Sequence, residues 1–416
     1  MGKFIINGGK RLSGEIEVCG SKNEILPIIC AALLTDAPVL IKNVPRISDV
    51  DKMLAILHSL GAEAGWVGEH ELRILARDVN VVNLDAGLVA GMRGSVLLMG
   101  PLLARFGSVT LPEPGGDIIG KRPLDTHFFA FEKMGATIAQ GANAVSISGK
   151  LHGAHIIMPE FSVTATENAV MAAALVPETT VIKIAAAEPH VQKLCRMLVG
   201  MGASVEGIGT HTLTITGKKK LAGCEHQISP DMLEVGTFIV AVAATRGAAR
   251  LKNVEIDDLD MVLNLVRSIG IGITLANGDL DISADGEIKP FRLQTLPFPG
   301  FATDLQAPFS VLATQADGMS MIHDPMYEGR LAHIPWLVKM GANAVVCDPH
   351  RVVISGPTPL HGYEIRALDI RSGATMVIAG LAASGVTVVH DAEILDRGYE
   401  RLAERLIALG ADIRRE

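Results

Sequence analysis

Six near-identical helix stops punctuate the chain: HSLGA (58–62), EKMGA (132–136), VGMGA (199–203), RSIGI (267–271), VKMGA (338–342) and IALGA (407–411). Their glycines, Gly61, Gly135, Gly202, Gly270, Gly341 and Gly410, lie 74, 67, 68, 71 and 69 residues apart. Such regularity means one supersecondary unit of about 70 residues repeated along the chain, and copies of one unit bury their apolar faces against each other.

Each copy reads in the same order. An apolar helix such as ENAVMAAALV (167–176) leads to a β-rich run such as TTVIKI (179–184), and an amphipathic helix then ends at the glycine. In SDVDKMLAILHSLGA, Ser48 is the expected N-cap with Asp51 completing a weak capping box, and Val50, Met53, Leu54, Leu57 and Leu60 form one 3.6-period face. Gly61 supplies a left-handed C-terminal residue. After it, alternation such as ASVEGIGTHTLTITG (203–217) predicts a hairpin.

Most hairpins finish in Ile-Ser/Thr-Gly, a spacer and Leu-x-Gly, as in ISGKLHG (147–153), ITGKKKLAG (215–223) and ISGPTPLHG (354–362). The sixth copy stops at ADIRRE without its second strand, and INGGKRLSG (6–14) matches the missing piece. The N-terminal strand is therefore expected to close the last unit. Three units per domain then give a discontinuous domain, 1–21 plus 229–416, and an inserted domain, 22–228. A single continuous stack of repeats is the alternative.

Composition narrows the function. A formal charge of −8 and a pI near 5.9 argue against a non-specific nucleic-acid binder, so any anionic ligand must be held by a local cluster of Lys and Arg. Five cysteines without a C-x-x-C pair disfavour a disulfide framework and a zinc site. The N-terminus lacks a signal-peptide core, and no run of ~18 apolar residues is present to span a bilayer. A soluble cytoplasmic protein with no membrane association is expected.

Charged residues recur where helices begin. Ser21 can cap the helix that follows it, aiming Lys22 and backbone N–H groups of its first turn at one spot suited to an anion; in isolation Ser-Lys-Asn also fits a solvated helix start. Arg93 precedes an otherwise uncharged helix. Residues 115–121 nearly spell a phosphate-cradling G-x-x-x-x-G-K loop, but Arg122 stands where such a loop needs Ser or Thr, and no Walker-B partner follows, so nucleotide hydrolysis is disfavoured. Pro123 is expected at the first position of the next helix, with Asp125 in its first turn. The second half offers PGFATD with Asp304, MYEGR with Glu328 and Arg330, LDIRSG with Asp369 and Arg371, and LDRGYERL with Arg397. Singly, each fits a surface ion pair; recurring at equivalent points of a repeat, together they predict a polar cleft between domains.

SKN (21–23), GGDIIGKRPLD (115–125), PGFATD, YEGR, LDIRSG and DRGYERL, in this order over the full chain, resemble the UDP-N-acetylglucosamine 1-carboxyvinyltransferases, a family of enolpyruvyl transferases. The resemblance implies a two-domain inside-out α/β barrel of six βαβαββ repeats, three per domain, similar to 5-enolpyruvylshikimate-3-phosphate synthase. It also implies transfer of the enolpyruvyl group of phosphoenolpyruvate to the 3′-hydroxyl of UDP-N-acetylglucosamine with release of phosphate, the first committed step of peptidoglycan synthesis. No cofactor or metal is implied, and a monomer is expected.

Carried over by motif, Lys22, Arg122 and Arg397 would clamp phosphoenolpyruvate, and Asp304 would be the base at the sugar hydroxyl. Asn23, Arg93, Arg122, Pro123, Leu124, Asp125, Thr126, Ser162, Val163 and Met326 would contact substrate, chiefly the UDP-sugar, while Glu328, Arg330, Asp369 and Arg371 would shape the cleft. Asp117 would be the general acid, on a loop closing over phosphoenolpyruvate. Many members of the family carry at that position a cysteine alkylated by fosfomycin; others have aspartate, so insensitivity to fosfomycin is expected here. Glu160 stands where some relatives have lysine, which leaves one nucleotide contact open. The related shikimate-pathway activity and a catalytically silent UDP-sugar binder are the competing readings.

Overall fold

The computed structural model describes residues 2–112, 115 and 122–416. Among them the chain divides into two compact units: 2–19 with Pro230–Glu416, and 20–112 and 115 with Arg122–Ser229.

All six glycine stops adopt a left-handed backbone, with φ between 85° and 110°. At the first, Ala62 N donates to Leu57 O at 3.0 Å and Gly61 N to His58 O at 2.9 Å, and the same pair of bonds recurs at the other five. This is the Schellman arrangement, which satisfies the last helical carbonyls and needs a residue tolerant of positive φ. The predicted apolar face of Ser48–Ser59 is buried through Val50, Met53, Leu54, Leu57 and Leu60. Its start differs from expectation. Ile47 is the N-cap, Ser48 is already helical, and no side chain caps the end. Burial of Ile47, 1% exposed, sets the start one residue early, and the first-turn carboxylate of Asp49 turns to Lys22 and Lys52.

In the unit containing the C-terminus, Met232–Ala244, Thr303–Thr314 and Ile370–Ala382 pack on one another. They have no solvent-facing stripe: every residue of Met232–Ala244 after Met232 is buried. Close approach explains Gly236, where a Cβ would stand 2.7 Å from the Leu305 side chain. Three four-stranded sheets complete this unit. In one of them Lys3–Asn7 lies antiparallel between Val386–His390 and Asp412–Arg415, with Ile5 opposite Val388 and Arg414. The following strand, Ser13–Glu17, runs parallel to Ala248–Lys252.

The other unit has corresponding helices Lys22–Ala31, Met99–Phe106 and Val163–Ala173; the last two pack together, and the first packs on Pro189–Gly200. Its lead strand is also borrowed along the chain, since Glu225–Gln227 pairs in parallel with Val39–Lys42. The sheet of Ser108–Pro112, Ala144–Ser148 and Thr137–Gln140 has three strands among the described residues, one fewer than the repeat predicts; the segment before its core helices forms short helical turns, Val81–Asn83 and Arg93–Leu98, instead.

Each unit fixes its returning segment with a buried glutamate. Glu24 accepts from Ser229 N at 3.1 Å and pairs with His226 at 2.8 Å. Glu234 accepts from Cys19 N at 2.8 Å and binds Arg405 through both carboxylate oxygens at 2.6 and 2.8 Å, while Arg405 also donates to Glu17 O. Removing one partner of such a pair leaves a buried charge uncompensated. Glu234→Gln is therefore expected to destabilise its unit by about 3 kcal/mol, read from urea denaturation; an unchanged midpoint would contradict this account of how the N-terminal segment is held.

Candidate active site

The N-terminal ends of the core helices carry the predicted polar residues. In the C-terminal unit, Asp304 occupies the first turn of Thr303–Thr314, and Asp369 is the N-cap of Ile370–Ala382. Asp369 accepts from Arg371 N at 2.9 Å and Ser372 N at 3.1 Å, and Ser372 Oγ accepts in return from Asp369 N. That capping box fixes the helix start and with it Arg371.

Arg330 and Arg371 converge on Asp304. Arg330 Nη2 donates to Asp304 Oδ1, and Arg371 Nε donates to Oδ2 at 3.2 Å. The Asp304 side chain remains 22% exposed while those of Arg330 and Arg371 are 10% and 6% exposed, so the carboxylate is the accessible member. Arg371 Nη1 also donates to the hydroxyl of buried Tyr399 at 3.2 Å, which bonds Thr237 at 2.9 Å. Burial opposes the charge on Arg371, yet Tyr399, Asp304 and Asp231 hold its pKa above the ordinary arginine value. Gln306 Nε2 donates to Arg330 O at 2.8 Å, and the imidazole of His333 lies 3.1 Å from the same carbonyl. Met326 sits partly buried in the turn before Arg330, Glu328 is exposed beyond it, and Arg397 ends the short turn Ala392–Arg397, two residues before Tyr399.

In the other unit, Ser21 Oγ accepts from Glu24 N, as the sequence predicts, and opens the helix bearing Lys22 and Asn23. Lys22 Nζ lies 3.3 Å from Asp49. Arg93 donates to the carbonyl of Arg122. Pro123 precedes the N-cap Leu124 instead of occupying the first helical position, while Asp125 opens the helix Asp125–Lys133. Pro123, Leu124 and Asp125 line a cavity of 320 Å³ with Ser95, Phe128 and the hairpin 140–145. Thr126 Oγ1 donates to Glu160 Oε1 at 3.0 Å, so Glu160 is engaged by the segment after Arg122. Ser162 is the N-cap of Val163–Ala173, without a capping bond from its side chain. Asp117 lies outside the described residues, as does most of the loop predicted to carry it.

Sequence reasoning missed Tyr399, Gln306, Asp49 and His333. Tyr399 lies inside the quoted LDRGYERL run, but its apolar ring gave no sign of a polar partner. His127, on the helix after the loop, is core structure. Asn168 Oδ1 accepts from Gly100 N, so its amide donates to Val96 O and to His127 Nδ1 at 3.1 Å. Nδ1 is therefore an acceptor, and the neutral ring carries its proton on Nε2, toward Thr164.

Burial lowers the pKa of His127 to about 3 and that of His333 to about 4. The unfolded chain binds these protons near pH ~6.5 and the folded chain does not, so stability is complete above that pH and is lost as pH falls below it. The slope is up to about 1.4 kcal/mol per pH unit for each histidine. His127→Gln should flatten the fall in denaturation midpoint between pH 7.5 and 5, values chosen to bracket the ~6.5 reference; an identical slope would contradict the neutral assignment.

The EPSP synthase (3-phosphoshikimate 1-carboxyvinyltransferase) family model matches residues 6–406. Proteins named UDP-N-acetylglucosamine 1-carboxyvinyltransferase from Treponema denticola and Bradyrhizobium diazoefficiens are each 42% identical, covering 99% of this chain and 99% and 98% of their own. Among solved structures, the enolpyruvyl transferase NikO from Streptomyces tendae superposes with a TM-score of 0.90 at 26% identity, covering 100% of this chain and 99% of that one. An EPSP synthase from Acinetobacter baumannii shares the fold, with a TM-score of 0.75 at 21% identity over 100% of both chains.

Proposed function

The chain belongs to the family of UDP-N-acetylglucosamine 1-carboxyvinyltransferases, and from that premise we propose that it moves the enolpyruvyl group of phosphoenolpyruvate to the 3′-hydroxyl of UDP-N-acetylglucosamine, releasing phosphate. What carries this reading is the full-length similarity to relatives bearing that activity in their names. The clustered Asp304, Arg330 and Arg371 support it, because they set an accessible carboxylate at a helix start.

The chemistry is addition followed by elimination. Asp117, protonated, gives its proton to the methylene carbon, leaving a cationic centre at C2. The 3′-oxygen bonds to that carbon as Asp304 takes the hydroxyl proton, forming a tetrahedral adduct. The Asp117 carboxylate left by the first step takes a proton from the new methyl group, the double bond re-forms, and the C–O bond breaks with its electron pair leaving on phosphate. Lys22, Arg122 and Arg397 offset phosphate and carboxylate charge, for which arginine offers a bidentate fork. Arg330 and Arg371 each donate to one oxygen of Asp304 and so fix the orientation of the base. Asn23, Arg93, Pro123, Leu124, Asp125, Thr126, Ser162, Val163, Met326, Glu328 and Asp369 serve the UDP-sugar and the shape of its site. The enzyme works in the cytoplasm as a monomer, in the first committed step of peptidoglycan synthesis.

Phosphate release on mixing both substrates is the direct assay. Asp304→Asn is expected to lower kcat by about 10²–10⁴-fold with smaller changes in KM; retention of full turnover would remove Asp304 as the base. Fosfomycin, an epoxide, should leave activity intact, because a carboxylate is a far poorer nucleophile than a thiolate. Time-dependent inactivation with a covalent adduct on residue 117, seen by mass spectrometry, would overturn that expectation.

A further inference from the structure

We propose that Asp324, which takes no part in the machinery described above, is a positioning residue that holds both Asp304 and the turn leading to Arg330 in working geometry. Asp324 is wholly buried. Its Oδ1 accepts from Thr295 Oγ1 at 2.8 Å and from Met326 N at 2.9 Å, and its Oδ2 accepts from Thr303 Oγ1 at 2.6 Å. The three donors come from three separate segments: the end of the strand Arg292–Gln294, the first residue of the core helix Thr303–Thr314, and the turn after the strand Gly318–His323. The backbone of Asp324 is pinned as well, since its N–H donates to His350 O and its carbonyl faces His350 Nδ1, both at 2.8 Å.

A wholly buried aspartate held by two hydroxyls and a backbone N–H carries a substantial desolvation cost. With two acceptor oxygens the aspartate takes all three donors at once, whereas an amide offers a single acceptor oxygen and cannot hold the same set. Thr303 directly precedes Asp304, so its bond to Asp324 sets the helix turn from which the Asp304 carboxylate projects. Met326 begins the turn that delivers Arg330, the other half of the ion pair. One side chain thereby fixes the distance between Asp304 and its partner; burial works against the charge on Arg330, and Asp304, then Asp369, Tyr327 and Asp324, favour it.

The inference rests on Asp304 being the base, and the test separates the two. Steady-state phosphate release is measured for the wild-type chain, Asp324→Asn, Thr303→Val, their double variant and Thr295→Val, with a thermal melt of each. Misplacement of a reacting group by a fraction of an ångström lowers kcat about 10–100-fold, so Asp324→Asn and Thr303→Val should each fall in that range, with KM for phosphoenolpyruvate within about twofold. The double variant should be no slower than Asp324→Asn, because both remove one linkage. KM for UDP-N-acetylglucosamine should rise in Asp324→Asn and not in Thr303→Val, which leaves the bond to Met326 N in place. Thr295→Val should lower the melting temperature without altering kcat. The proposal is overturned if folded Thr303→Val keeps wild-type kcat, a result that stands even if Asp324→Asn fails to fold, or if the two kcat losses multiply. A wild-type chain that releases no phosphate from the two substrates overturns the enolpyruvyl-transfer reading instead.

Discussion

A helix buried along its whole length reaches the solvent only at its ends. Met232–Ala244, Thr303–Thr314 and Ile370–Ala382 are such helices, and each leaves backbone N–H groups at its start to be satisfied by side chains. Asp231 and Asp369 cap two of them directly, and Asp304 sits in the first turn of the third. The requirement that stabilises the core therefore also concentrates carboxylates, and the arginines that balance them, at equivalent points of a repeated unit. Lys22 and Val163 begin the corresponding helices of the other unit.

Electrostatics at Asp304 follow from that placement. A single arginine buried beside a capped helix start would be costly, so Arg371 is shared between Asp304 and Tyr399, and Arg330 is tied through its backbone to Gln306 and His333. The result is a carboxylate more exposed than either of its partners, on a chain whose net charge is −8. Within this unit Arg330 and Arg371 converge on one carboxylate against that acidic background.

Periodicity and turn chemistry are local, and they were legible. The six glycine stops, the face of Ser48–Ser59, the hairpins and the Ser21 cap could all be read from short stretches, and their repetition gave a mixed helix-and-strand unit, while the barrel arrangement of those units came from the family resemblance. The start at Ile47 was not legible, because burial of that side chain and the pairing of Asp49 with Lys22 come from distant packing. Nor was the role of Asp324: HDPMYEGR contains nothing that distinguishes this acid from Glu328, and its three donors converge only in the folded chain. Glu24, Glu234 and Asn168 escaped notice for the same reason, since a buried polar residue is defined by partners up to hundreds of positions away.

In the proposed transfer the methylene carbon is protonated, the 3′-oxygen attacks C2, and the same methylene carbon is then deprotonated. Carrying out the reaction in D₂O tests this most directly, with the enolpyruvyl product examined by proton NMR. Addition followed by elimination predicts deuterium at the vinyl carbon of the product, because a solvent-derived deuteron enters the methyl group before one hydrogen leaves. A product formed in full with no deuterium at that carbon would contradict the mechanism.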